Sequence, residues 1–270
     1  MRITPIQLMF LTFSYMFSGF FLGGVRNFTI VIASFFALCF YAYLGYRGYS
    51  LERRGYFDFL RVLVPEGMEN VTILLFLILV WIQLLATLVR FSEHIHMISV
   101  FLPLGMIALT LVTASFFSSA KGFSVVGRLS ELVPLLLVPL LVTRPFFSFA
   151  PMFRDVPWAG QGLFSFISIA PIFYLLSKTV TAGDVSVSRS FRVAETGIED
   201  RGRYLALFLL AGGVLAVAVY GFLLLFEVKA GDVLFRFFLW WTSFVRLAIL
   251  ASVFYDLARE RPFARRKGSA

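Results

Sequence analysis

The chain has 270 residues, of which 60 % are hydrophobic and only 14 % charged, with 34 phenylalanines, a single cysteine and a net charge of +9. Soluble domains run at roughly 45–50 % apolar and about 25 % charged residues, so this composition excludes an ordinary water-soluble fold and marks an all-α integral membrane protein. The positive charge does not point to nucleic acid, because its placement along the chain follows membrane topology.

Windows of about 20 residues predict eight spans, at 5–24, 27–46, 71–89, 97–119, 124–146, 162–180, 204–227 and 234–256. With the N-terminus in the cytoplasm, seventeen of the 24 Lys and Arg residues fall on the cytoplasmic side, six on the opposite side, and Arg246 inside a span. That asymmetry fits an even number of crossings with both termini cytoplasmic. Residues 1–258 then form one transmembrane domain. Residues 259–270 form a basic tail suited to anionic lipid through Arg259, Arg261, Arg265, Arg266 and Lys267. The first span follows one arginine and has no small-x-small site at its end, so it is expected to be retained rather than cleaved.

The first span carries Ser14, Tyr15, Ser18 and Gly19 at mid-depth. Small and polar residues there either let helices pack closely or break the helix and expose backbone groups to a solute. The second span holds Cys39, a buried thiol with no partner for a disulfide. Between spans two and three, Ser50 can cap a short surface helix whose aromatic side rests on the membrane. The third span places Gln83 at its midpoint, where an amide needs an interhelical partner or a solute. It ends in Glu93, His94 and His96, but the chain has no further histidine, and a metal site needs more ligands in defined geometry.

The fifth span opens with Arg128 and Glu131 ahead of Pro134. Charges just inside a span are costly, and these two, three residues apart, are expected to pair on one helix face. The sixth span has Ser165 and Ser168 shortly before Pro171, which removes a backbone donor and kinks or breaks the helix. Interrupted first and sixth spans occupy equivalent positions in a repeat of five helices, the arrangement in which inverted-repeat transporters place their solute. The seventh span contains Gly212 and Gly213. The eighth carries Arg246 near its centre, a position that costs about 2.5–3.5 kcal/mol on translocon scales. Glu131 is its expected counter-charge.

Ile3-Thr4-Pro5-Ile6-Gln7-Leu8, Leu88-Val89-Arg90-Phe91-Ser92-Glu93, Arg128-Leu129-Ser130-Glu131 and the run from Gly231-Asp232 through Trp240 to Arg246 come in an order and spacing that resemble the B-subunit permeases of endospore germination receptors. This is the GerAB-like branch of the amino acid/polyamine/organocation superfamily. The resemblance implies a LeuT-like inverted-repeat architecture, here shortened to eight spans with an incomplete second repeat. It implies a solute site built from Ser14 to Gly19 and Ser165 to Pro171, to which Gln83 is added as a candidate on its own mid-span position. It also implies that Arg246 stands where a cation replaces a coupling sodium ion, with the family's usual lysine changed to arginine. The implied partners are germinant receptor A and C subunits, and the implied location is the spore inner membrane or the cell membrane.

The leading expectation is therefore a permease-like receptor subunit that senses or transports a small solute such as an amino acid. The alternative is a non-transporting scaffold that assembles with partner proteins. An enzyme is not expected: there is no His-Glu-x-x-His, no Gly-x-Ser-x-Gly, no phosphate loop and no cofactor fingerprint. Tyr255-Asp256 lacks the second motif an aspartyl protease needs.

Overall fold

A computed structural model describes residues 4–23, 28–50, 68–97, 99, 101–142, 169, 171, 198–225 and 233–259. The described residues form helices and no strands. In chain order these are α1 (Pro5–Leu22), α2 (Phe28–Ser50), α3 (Glu69–His96), α4 (Leu104–Ala120), α5 (Phe123–Ser130), α6 (Leu132–Val142), α7 (Ile198–Leu225) and α8 (Val233–Arg259). Helices are the outcome that apolar runs of this length must reach in lipid, where no water is present to satisfy a loose backbone.

Among the described residues, three helices are long and apolar enough to cross a membrane: Val71–His96, Ala206–Leu223 and Val233–Ala258. Leu104–Ala120 and Val125–Leu141 make a fourth if this pair, bent by 120°, is one span; Ile6–Leu22 and Ile30–Tyr43 are shorter apolar helices. The protein is thus an all-α integral membrane protein. Ser50, expected to cap a short surface helix, is instead the last residue of α2, and residues 51–67 that would form that helix lie outside the described residues, as does most of the predicted sixth span, including Ser165 and Ser168. Ile169 and Pro171 are both buried.

The first helix departs from expectation. α1 is unbroken from Pro5 to Leu22. Thr4 starts it with a capping box: its Oγ1 accepts from the Gln7 N–H at 3.2 Å, and the Gln7 side chain accepts from the Thr4 N–H at 2.9 Å. The hydroxyls that were expected to open the helix return to its own carbonyls instead. Thr12 donates to Leu8 O at 2.9 Å, Ser14 to Phe10 O at 2.7 Å and Ser18 to Ser14 O at 2.6 Å. This back-bonding satisfies a serine in an apolar setting without breaking a turn.

The fifth predicted span is the one that breaks. α5 stops at Ser130, Glu131 caps it, and α6 begins at Leu132. Pro134 has no N–H to give the Ser130 carbonyl, which weakens the ladder at this step. Two other helices seal the joint. Trp241 Nε1 of α8 donates to Leu129 O at 2.8 Å. Gln7 Nε2 of α1 donates to Glu131 Oε1 at 2.5 Å, and Ser130 Oγ reaches Gln7 O at 3.3 Å. At the other end of α5, Gly122 turns the chain out of α4 with a φ of 94°, a left-handed conformation that glycine adopts without penalty.

The core is organised on α8. Two-thirds of its apolar window (67 %) is buried, against 33 % for α3. It packs on α1, α3, α4, α5 and α6. Phe238 meets Phe17 edge-on at 5.2 Å between ring centroids, and Phe17 meets Tyr220 of α7 at 5.9 Å. α7 uses its two glycines separately. Gly212 lies against the Met9 carbonyl of α1 and Gly213 against Leu38 of α2. Small residues of this kind let helix backbones approach, which is the main source of association energy in lipid.

Candidate functional site

The polar residues at mid-depth converge where α1, α3 and α8 meet, and Arg246 is their centre. It is the middle residue of α8 and only 8 % exposed. Its Nη1 donates to the backbone carbonyl of Tyr15 at 2.6 Å, and its Nε donates to Thr87 Oγ1 at 3.3 Å. The guanidinium carbon sits 4.1 Å from the centroid of the Tyr15 ring. The phenol of Tyr15 donates to Gln83 Oε1 at 2.7 Å. Three helices are thereby tied through one cation.

Each of these contacts follows from local sequence. Tyr15 and Gly19 are four apart and share a face of α1, so Gly19 leaves bare backbone beside the Tyr15 ring. The guanidinium fills that place, and a Cβ at Gly19 would run into Nη1. Gln83 and Thr87 are likewise four apart on α3.

The energetics explain why this arginine is tolerated with no ion pair among the described residues. A charge-assisted hydrogen bond is worth about 1.5–3 kcal/mol, and a desolvated cation–π contact about 2 kcal/mol. Together they offset the roughly 2.5–3.5 kcal/mol that translocon scales assign to a central arginine.

Two expected pairings do not form. Arg246 does not meet Glu131; that carboxylate is taken by Gln7 at the α5–α6 break, and among the described residues the arginine has no ion-paired carboxylate. Arg128 and Glu131 do not pair either. The helix ends between them and both side chains are exposed. Of the proposed solute residues, Tyr15, Gly19 and Gln83 come together with Arg246, whereas Ser14 and Ser18 are buried and bonded to α1 itself. His94 packs edge-on against Phe21, and His96 Nδ1 lies 2.9 Å from Leu102 O.

Thr87 and Gln7 were not singled out from sequence. Thr87 had a signal, its spacing of four from Gln83 on an otherwise apolar helix. Gln7 had a weaker one, following Thr4 at capping-box distance.

The Tyr15–Gln83 bond gives a direct test of the junction. Gln83→Leu removes the phenol's acceptor from a buried setting and should cost about 1–3 kcal/mol. Tyr15→Phe combined with Gln83→Leu should cost clearly less than the two single changes added together. Unfolding of the purified protein in mixed detergent gives all three values. Strict additivity would mean that the bond carries no energy.

No protein-family model, curated protein or solved structure matches the chain.

Proposed function

We propose that this chain is a permease-like membrane subunit that assembles with partner proteins and does not itself move a solute. The observation that carries this reading is the bond from Arg246 to a carbonyl inside an unbroken α1. A carrier that binds solute through its first helix needs free backbone groups at a break. Here the helix is continuous, its hydroxyls are turned inward, and the guanidinium occupies the gap at Gly19. Arg246 acts as a permanent cation joining α1 to α8. Its charge does not titrate in the physiological range, so it cannot release α1 by losing a proton.

The resemblance to the GerAB-like subunits supplies the setting. The chain would stand in a spore inner membrane or cell membrane, with eight crossings, both termini cytoplasmic and a LeuT-like frame whose second repeat is shortened. Its partners would be the A and C subunits of a germinant receptor. A second reading keeps a solute in view, with the chain sensing a small molecule such as an amino acid. The lack of an ion-paired carboxylate at Arg246 among the described residues favours it, since a ligand carboxylate could supply one.

The test is co-purification with A and C subunits, together with equilibrium binding of alanine and other amino acids to the chain alone. The proposed outcome is a stable complex and no saturable binding. Saturable binding that is abolished by Ser18→Leu would replace this reading with the second one.

A further inference from the structure

The hydrogen-bonding inventory around Arg246 is one-sided. A guanidinium carries five N–H donors. One on Nη1 goes to Tyr15 O and the one on Nε goes to Thr87 Oγ1, which leaves three without a partner among the described residues. Thr87 differs from the other helical threonines whose side chains are described. Thr12, Thr72, Thr110, Thr113 and Thr242 each donate their hydroxyl hydrogen to a carbonyl of the preceding turn. Thr87 accepts from the arginine, and its own hydrogen goes to no acceptor among the described residues. Four donors and a full positive charge therefore share one buried spot, with no ion-paired carboxylate there among the described residues. A strip of the arginine, 8 % of its surface, stays uncovered by protein.

We propose that Arg246 and Thr87 bind a small monovalent anion between α1, α3 and α8. The charge balance sets the ligand class. One cation in a low-dielectric setting favours one negative charge, and two would leave a net charge buried. The planar fork of the guanidinium beside a hydroxyl suits a halide, nitrate or a short carboxylate. It does not suit a zwitterion, because among the described residues no acidic side chain pairs with the arginine and could receive an ammonium group. The anion completes the junction and stabilises the helix packing, whether or not partner subunits are bound, so this proposal goes beyond the assembly reading.

Thermal unfolding of the full chain in detergent, followed by tryptophan fluorescence, tests the proposal at constant ionic strength. The salts are sodium chloride, nitrate, acetate and gluconate, with glycine added separately to gluconate. A ligand that binds only the folded state raises the midpoint, and saturating chloride should raise it by about 5 °C over gluconate, which is too large to enter. Arg246→Met should abolish the difference. Thr87→Val should keep the fold and raise the half-saturating chloride concentration about threefold or more. A rise with acetate and not with chloride supports the site and identifies a small organic acid as its source. Equal midpoints in all salts would overturn the proposal. So would an unchanged chloride response in Thr87→Val, or a response to glycine alone. If Arg246→Met does not fold, the comparison of the native chain with Thr87→Val still decides.

Discussion

Gly212→Ala should be among the most damaging single-methyl changes in this protein, costing about 2–3 kcal/mol. The added Cβ would land on the backbone carbonyl oxygen of Met9, with Thr12 Cβ 3.0 Å away. A carbonyl inside a continuous helix cannot swing aside as a side chain does, so α1 and α7 would have to separate. That separation would also disturb the Tyr220 hydroxyl, which donates to Phe20 O at 3.2 Å from the same helix. Gly105→Ala is the control. A Cβ there meets nothing within 4 Å, and replacing a glycine in the first turn of α4 should be neutral or gain up to about 0.5 kcal/mol. Detergent-titrated unfolding should therefore separate the two variants. Equal shifts would mean that the α1–α7 contact is looser than described.

The second large effect is conditional. Gly19→Ala should cost about 2 kcal/mol, because its Cβ would displace Nη1 of Arg246 and come within 3.1 Å of the guanidinium carbon. The obstacle here is the end of a side chain, so the cost arises from the contacts the guanidinium must abandon. Those are the 2.6 Å bond to Tyr15 O and the stacking on the Tyr15 ring. In an Arg246→Met background the same Gly19→Ala change should cost less than about 0.5 kcal/mol, a coupling of more than about 1 kcal/mol in a double-mutant cycle. Arg246→Met alone should be only mildly destabilising, since a buried charge replaced by a well-packed apolar side chain often loses little. A Gly19→Ala cost that stays the same in both backgrounds would show that the arginine does not occupy this gap.

Much of the helix inventory was legible from hydropathy alone, because length and apolarity are properties of each segment by itself. The third, seventh and eighth spans were located to within a few residues except at the end of the third, which runs on to His96. The need of Gln83 for an interhelical partner was legible too, and Tyr15 meets it. Two errors have a common origin. Ser14, Ser18 and Gly19 read equally well as a helix break or as tight packing, and local sequence cannot separate the two, since back-bonding to the preceding turn is a choice of rotamer. The Arg246–Glu131 pair failed for a similar reason. Depth along the bilayer says nothing about direction around the helix, and Glu131 had a closer claimant in Gln7. The true partners of Arg246 lie 231 and 159 residues away along the chain, separations at which only the assembled bundle specifies contact.

The place of α8 in the chain carries a consequence for biogenesis. Chains are synthesised from the amino end, so α1, α3 and α4 are made long before the helix that binds them together exists. Until Val233–Arg259 emerges, Phe17, Thr87 and Ser119 lack these contacts, because Phe238, Arg246 and the Ala248 carbonyl have yet to be made. Synthesis and consolidation of these helices are therefore separate events in this protein, and the ribosome sets the interval between them.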